Sequence, residues 1–240
     1  MIFVRRHFGH FLLNYLFHSR CLLCEKPLHD MSPLCPECFE ELKFGTEKRC
    51  VKCGQVMSSS LVDPSCADCR NRHYPYHEIR ILGTYAGSLQ KLVQGLKFRE
   101  RHSVSAVLAD CLVRFVDPSY FLVDCMVPVP LHRSRLKERG YNQSRLVLDR
   151  IGRYLRVPVL ADALVRHKNT KPQSRLRAEE RRENVRDAFR PGRQAKLMSG
   201  KKILLFDDVM TTGNTLNEAC ETLKKCGPSS VKILAIARAE

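Results

Sequence analysis

The chain has 240 residues, which allows one sizeable domain and a small one at roughly 100–200 residues per domain. Hydrophobic residues make up 44% of it, and no stretch approaches the ~20 apolar residues that a membrane-spanning helix needs. The net charge is +16, and residues 131–202 hold 21 Lys or Arg against 7 Asp or Glu, so most of the positive surplus lies in about one third of the chain. This concentration indicates phosphate-rich partners: a phosphorylated small molecule, a nucleic acid, or both.

The N-terminal segment, residues 1–20, starts with basic residues and contains a short apolar run from Phe11 to Phe17 that Asn14 interrupts. We predict an amphipathic helix that packs on the body of the protein, because the run leads into Cys21 without the small-residue cleavage site of a signal peptide. A contact with a membrane surface is the alternative interpretation.

Cysteines dominate the next segment. Two CxxC turns complete a tetrahedron of sulfurs around Zn²⁺, so we predict a zinc-binding module over residues 21–72 that holds one or two structural zinc ions. Two sequential four-cysteine sites, a crossed pairing and a single remaining site are all compatible with the spacing, whereas a redox dithiol would not require four pairs in series. The predicted ligands form four CxxC pairs, Cys21/Cys24, Cys35/Cys38, Cys50/Cys53 and Cys66/Cys69.

Thiolate zinc sites imply a reducing compartment, so the cytoplasm is the expected location. The other cysteines show no ligand spacing, and we expect them to be core or near-surface thiols: Cys111, Cys125, Cys220 and Cys226.

From residue 76 to residue 240, segments with strand-like and helical periodicity alternate, which is typical of a parallel α/β sheet with helices on both faces. We expect residues 157–165 to be extended and residues 168–183 to form a long basic loop. The predicted strands cover 77–85, 123–129, 202–209 and 231–237, and the predicted helices cover 87–96, 103–116, 142–155 and 215–226.

A strand–loop–helix is the most informative of these segments. Residues 203–215 read ILLFDDVMTTGNT, in which four apolar residues lead into Asp207 and Asp208 and a helix follows Gly213. A helix N-terminus at the carboxyl edge of such a sheet offers N–H groups and a positive dipole end to a phosphate. Two adjacent carboxylates can accept hydrogen bonds from vicinal ribose hydroxyls, and they can position Mg²⁺. The plainer alternative is a strand that ends in an Asp-Asp turn with a threonine cap.

This segment resembles the diphosphate-sugar motif of type I phosphoribosyltransferases. The resemblance implies that fold, and it makes Asp207 and Asp208 the candidate catalytic residues, which hold the ribose 2- and 3-hydroxyls. It also implies that the following backbone holds the 5-phosphate, at Thr211, Thr212, Gly213, Asn214 and Thr215.

A second signature lies at residues 126–143, which read MVPVPLHRSRLKERGYNQ. We predict a second phosphate-facing loop there, which ends before Gly140 and carries four basic residues, Arg133, Arg135, Lys137 and Arg139.

Together with Leu96-Lys97-Phe98 and the basic block at 168–190, this signature resembles the ComF competence family over nearly all of residues 21–238. Members of that family join a cysteine-rich zinc module to a phosphoribosyltransferase-like domain. The resemblance implies that Arg133, Arg139 and Lys97 contact the phosphates of the ligand, and that residues 168–190 are a mobile loop that closes over it. A solvated helix end for Lys97, and a solvated helix face for the arginines of 175–190, are the alternatives.

The ComF resemblance implies a protein that binds phosphoribosyl diphosphate with Mg²⁺, contacts single-stranded DNA through its basic surface and acts in DNA uptake during natural transformation. It also implies a competence helicase or other uptake proteins as partners. The sequence shows no acceptor pocket, so two alternatives remain. One is a metabolic phosphoribosyltransferase that acts on an unidentified base, and the other is a non-catalytic sensor of the sugar diphosphate.

Overall fold

A computed structural model describes residues 19–28, 32–42, 44, 47–58, 63–96, 101–170 and 183–239. The helix predicted for residues 1–20 lies outside this part, apart from Ser19 and Arg20, which form a short strand. Within the described residues, no helix is long and apolar enough to cross a membrane.

Eight strands and seven α-helices organise the described part of the chain. The strands are β1 (Ser19–Arg20), β2 (Pro27–Leu28), β3 (Ile79–Thr84), β4 (Cys125–Pro128), β5 (Leu164–Arg166), β6 (Phe189–Pro191), β7 (Lys202–Met210) and β8 (Ser230–Arg238). The helices are α1 (Pro36–Glu40), α2 (Ala67–Arg70), α3 (Gly87–Gly95), α4 (Arg101–Phe115), α5 (Arg133–Arg139), α6 (Gln143–Leu155) and α7 (Asn214–Lys224), with short 3₁₀ turns at Pro118–Phe121 and Ala195–Met198.

The central sheet has four parallel strands in the order β3-β8-β7-β4. Strand β7 lies between β8 and β4, and its four residues Ile203 to Phe206 have no solvent-exposed surface. Leu204 and Phe206 pack into the hydrophobic cluster that includes α3, α4 and α6, whereas Ile203 and Leu205 pack into the cluster that includes α7. This alternation confirms a parallel sheet covered by helices on both faces.

Two predicted segments differ from the structure. The basic loop predicted before Gly140 is the helix α5: the His132 side chain accepts a hydrogen bond from the Ser134 N–H at its start, and Gly140 ends it with a φ of 81°. Of the extended segment predicted over residues 157–165, only the last two residues belong to a strand, β5. Val159 also makes one isolated parallel bridge to Met126 of β4. Strand β5 pairs with β6 in an antiparallel ribbon, and residues 171–182 of the predicted basic loop lie outside the described part.

The two cysteine clusters pack differently. Cys21, Cys35 and Cys38 belong to the main hydrophobic cluster, together with helices α3 and α4. Cys50 and Cys69 form a small cluster of their own with Met57.

The second cluster is attached to β3, and to the segment before it, through the backbone carbonyls of its first turn. The Ile79 N–H at the start of β3 donates to the Val51 carbonyl at 2.8 Å, and the Tyr76 hydroxyl donates to the Lys52 carbonyl at 2.6 Å. Gly54 has a φ of 72° and lies so near β3 that an added Cβ would be 2.4 Å from Ile81 Cγ1. The turn that follows Cys53 therefore requires glycine for its conformation and for its close approach to the strand.

We predict that Gly54→Ala lowers the free energy of unfolding by about 2–4 kcal/mol, because backbone strain adds to overpacking against Ile81. Gly200→Ala is the matched control: Gly200 has a φ of 71°, but an added Cβ would meet nothing within 4 Å. It should therefore cost only the backbone strain, about 1–2 kcal/mol. Chemical denaturation of both variants measures the difference, and equal losses would contradict the tight contact between Gly54 and β3.

Candidate ligand site and metal centres

Asp207 and Asp208 lie near the carboxyl end of β7, where Asp207 is level with Ala235 of β8. The Asp208 N–H donates to Asp207 Oδ1 at 3.0 Å, and the Val209 N–H donates to Asp208 Oδ1 at 2.8 Å. Each carboxylate therefore has one oxygen held by the backbone, which fixes its orientation.

The N-terminus of α6 supports the first carboxylate. The Ser144 hydroxyl donates to Asp207 Oδ1 at 3.0 Å. Ser144 is placed there by Asn142, which caps α6 by accepting from the Arg145 N–H and donates from Nδ2 to the Val129 carbonyl at 2.9 Å. Ser144 is a contact of the candidate site that the sequence does not single out, although it directly follows the segment at 126–143.

The Asp207 carboxylate is half-buried and lies next to a second carboxylate. Burial and the neighbouring Asp208 carboxylate raise the pKa of Asp207 well above its usual range, and they outweigh the lowering by the Asp208 N–H, the Ser144 hydroxyl and Arg166. A bound cation or ribose hydroxyl donors would favour its ionised form, so this site is suited to a ligand that brings positive charge or hydrogen-bond donors.

The predicted phosphate-binding loop turns sharply into α7. The turn covers Thr211 to Gly213, which has a φ of 80°, and α7 begins at Asn214. An added Cβ on Gly213 would be 2.7 Å from Met210 Cε. The first turn of an 11-residue helix, with its positive dipole end, therefore lies beyond the two aspartates, separated from them by five residues. The structure thus brings together the residues of Asp207–Thr215 at one edge of the sheet.

The basic candidates are placed less uniformly. Arg133, which is exposed, and Arg139, which is half-buried, belong to α5, the helix that follows the carboxyl end of β4. Arg135, another residue of α5, donates to the Thr170 carbonyl at 2.9 Å. Lys97 lies outside the described residues.

Arg166, at the end of β5, is a second residue that the sequence analysis missed. Its surface is 8% exposed, its guanidinium lies 5.5 Å from the centre of the Phe189 ring, and it hydrogen bonds to the Thr170 hydroxyl. Its buried Nε has no hydrogen-bond partner, and among the described residues Arg166 forms no ion pair. Burial and the nearby Arg135 lower its pKa, while Asp207 raises it, so Arg166 is a buried cation whose charge interacts with the carboxylate of the site.

The eight predicted zinc ligands form two groups of four, Cys21/Cys24/Cys35/Cys38 and Cys50/Cys53/Cys66/Cys69, and within each group all sulfurs lie within 4.8 Å of one another. The Sγ–Sγ distance is 3.7 Å for both Cys24–Cys35 and Cys53–Cys66. Sulfurs at about 2.3 Å from a central zinc are about 3.8 Å apart in a tetrahedron, so this spacing fits Zn²⁺. The pairing is therefore sequential rather than crossed.

Backbone N–H groups prepare both clusters for metal. The Cys35 N–H donates to Cys21 Sγ at 3.4 Å, and the Cys66 N–H donates to Cys50 Sγ at 3.2 Å. Burial raises the pKa of the Cys21 and Cys50 thiols, but several backbone N–H donors, these two among them, and a neighbouring cysteine side chain together outweigh it and lower the pKa to about 6 and about 7. Thiolates, which are the form that binds zinc, are thus favoured at these positions.

Of the remaining cysteines, Cys111, Cys125 and Cys220 are buried and Cys226 is half-buried, which confirms that they are core or near-surface thiols.

We expect the purified protein to contain about two zinc ions per chain, and Cys21→Ser and Cys50→Ser each to lose one of them. Cys21→Ser should cost more stability, because Cys21 is packed in the main hydrophobic cluster. Elemental analysis and thermal unfolding test both expectations. Cys111→Ser, a change to a buried thiol outside both groups, is the control and should retain both ions.

Comparison with known proteins is consistent with this geometry. The model of the phosphoribosyl transferase domain matches residues 137–240, and that of the double zinc ribbon domain matches residues 12–70. The chain is 31% identical to competence protein F of Haemophilus influenzae, over 95% of this chain and 100% of that protein. It is 29% identical to the DNA utilization protein YhgH of Escherichia coli K12, over 91% and 96% of the two chains. It is also 29% identical to competence protein ComFC of Bacillus subtilis, over 88% and 90%.

The identity and coverage with competence protein F, and the two domain matches in the expected order, confirm the family resemblance found in the sequence. The chain belongs to the ComF competence-protein family, with a double zinc ribbon and a phosphoribosyltransferase-type domain.

Proposed function

We propose that this protein binds phosphoribosyl diphosphate with Mg²⁺ at the β7–α7 loop, and that it binds single-stranded DNA through its basic surface in DNA uptake. The observation that carries the proposal is the arrangement of three features at the carboxyl edge of the sheet: two oriented carboxylates, a turn through Gly213 and a helix N-terminus.

These parts match the chemistry of a ribose 5-phosphate group. The carboxylates of Asp207 and Asp208 accept hydrogen bonds from the two vicinal hydroxyls, and the N-terminus of α7 receives the dianionic phosphate. Gly213 lets the backbone approach the phosphate without a Cβ in the way.

The same two carboxylates suit Mg²⁺, a hard cation that is usually held by one or two carboxylates and by phosphate oxygens of the substrate. When bound, Mg²⁺ would neutralise the diphosphate. Arg133 and Arg139 of α5 are the proposed protein cations for that group, and Lys97 is a further candidate.

Transfer of the ribosyl group to an acceptor base is the second candidate function. Arg166 supports ligand binding with or without transfer, because a buried guanidinium with an unsatisfied Nε is costly unless a ligand supplies an acceptor. Release of pyrophosphate with a nucleobase would support transfer, whereas ligand binding without turnover across a panel of bases would support a sensor.

The proposed role in DNA uptake draws on the relatives, whose names refer to competence and to DNA utilization. The charge supports it as well, since residues 131–202 carry most of a net charge of +16. A competence helicase or another uptake protein would be the partner of such a role.

For the ligand site, we predict that Asp207→Asn/Asp208→Asn weakens phosphoribosyl diphosphate binding at least about 10-fold and abolishes its dependence on Mg²⁺, because charged acceptors become neutral amides. Calorimetry with and without Mg²⁺ measures both effects. The matched control is Asp124→Asn at the opposite edge of the sheet, where the carboxylate accepts from the Lys202 N–H. Unchanged binding in the double variant would overturn the site assignment.

For DNA, we expect affinity for single-stranded oligonucleotides to fall with salt, with a slope of log K against log [salt] of about −0.7 per phosphate contact. Arg133→Gln/Arg139→Gln removes two cations and should make that slope shallower by about 1.4. Lys224→Gln/Lys225→Gln removes the same charge at the other end of α7 and should leave the slope nearly unchanged. Salt-independent binding would rule out DNA binding through phosphate contacts. Equal effects of the two double variants would rule out α5 as part of the DNA-binding surface.

A further inference from the structure

The second cysteine cluster and the predicted phosphate-binding loop meet at one side chain, that of Arg238. Arg238 is the last residue of β8, and its Nη1 donates to the Cys53 carbonyl at 2.6 Å. The same nitrogen makes a longer contact of 3.5 Å to the Thr211 carbonyl. One guanidinium thus bridges a zinc-ligand residue and the first residue of the loop.

The backbone of Arg238 is itself fixed on both sides. The Tyr85 N–H donates to the Arg238 carbonyl at 2.7 Å, and the next residue, Ala239, donates from its N–H to the Met210 carbonyl at 2.8 Å. The side chain is partly buried, and its Nε is buried without a hydrogen-bond partner. Leaving that donor unsatisfied costs free energy, and the two Nη1 contacts offset this cost by stabilising the guanidinium in its position.

The Thr211 carbonyl matters because of peptide geometry. In a trans peptide unit the carbonyl of one residue and the N–H of the next point in opposite directions. A donor that holds the Thr211 carbonyl therefore sets the direction of the Thr212 N–H, one of the groups expected to bind the 5-phosphate.

The Cys53 end is held by the cysteine cluster. The Cys53 sulfur is 3.7 Å from Cys66 Sγ within the second group, and Gly54 presses the same turn against Ile81. The first group has no comparable link among the described residues: it packs with α3 and α4, and the Ser88 hydroxyl donates to Glu41 Oε2 at 2.7 Å beside it.

We propose that Arg238 is a positioning residue that transmits the order of the second cysteine cluster to the phosphate-binding loop. Loss of zinc from this cluster loosens the loop and weakens sugar-phosphate binding, whereas loss of zinc from the first cluster does not. The consequence for affinity rests on the proposed function, but the order of the loop does not.

Hydrogen exchange of the ligand-free protein tests the coupling directly. In Arg238→Met, we expect exchange of peptides that cover 50–54 and 208–215 to become roughly fivefold faster, as loss of about one hydrogen bond predicts. Peptides from α4 should keep wild-type rates, which excludes global destabilisation. Arg80→Met, which removes an arginine of β3 that pairs with Glu78, is the matched control and should leave the loop unchanged. Wild-type exchange of 208–215 in Arg238→Met would overturn the proposal.

The zinc arm compares Cys53→Ser with Cys24→Ser. Each should lose one zinc ion, but only Cys53→Ser should speed exchange of 208–215 and weaken ribose 5-phosphate binding, by a similar factor of roughly five. Equal loop exchange in the two variants would overturn the coupling, and if Cys53→Ser does not fold, Arg238→Met decides. If the wild-type protein does not bind ribose 5-phosphate, the proposed function fails, while the exchange result still stands on its own.

Discussion

The position of β7 between β8 and β4 is the constraint on which the rest of the structure depends. Its apolar residues from Ile203 to Phe206 have no solvent exposure, and they alternate between two hydrophobic clusters. A shift of the pairing by one residue would exchange the two faces, so burial fixes the register. That register determines where Asp207 and Asp208 emerge, and it places them beside the N-termini of both α6 and α7.

The Asp207 carboxylate is half-buried in that position, and hydrogen-bond donors fix its orientation. The Ser144 hydroxyl and the Asp208 N–H both donate to one oxygen of Asp207, while burial raises its pKa. Such a site is organised before a ligand arrives, which reduces the reorganisation needed on binding. Buried Arg166 adds a positive charge on the β5–β6 ribbon, so groups of both signs are held near one edge of the sheet.

The sequence predicts those parts whose signal is local. The strands and helices around residues 202–238 follow from unbroken apolar runs and helical periodicity, and the cysteine groups follow from CxxC spacing. For helix α5 the sequence predicts a loop, because its four basic residues hide the helical pattern and prolines precede it. Ser144 and Arg238 could not be predicted, because their contacts join residues far apart in the chain: 63 residues separate Ser144 from Asp207, and 185 separate Arg238 from Cys53.

The strand order β3-β8-β7-β4 also constrains the route by which the protein folds. Strand β8 follows every other described strand in the chain, yet it lies between β3 and β7 and provides the only sheet pairing of β3 among the described residues. Contacts of such long sequence separation form slowly, since loop-closure entropy must be overcome before they contribute. During synthesis from the N-terminus, β3 and the turn at residues 50–54 that contacts it are therefore made before their sheet partner β8. Until β8 pairs with it, the edge of β3 has unpaired backbone groups, which makes it a site for aggregation or chaperone binding.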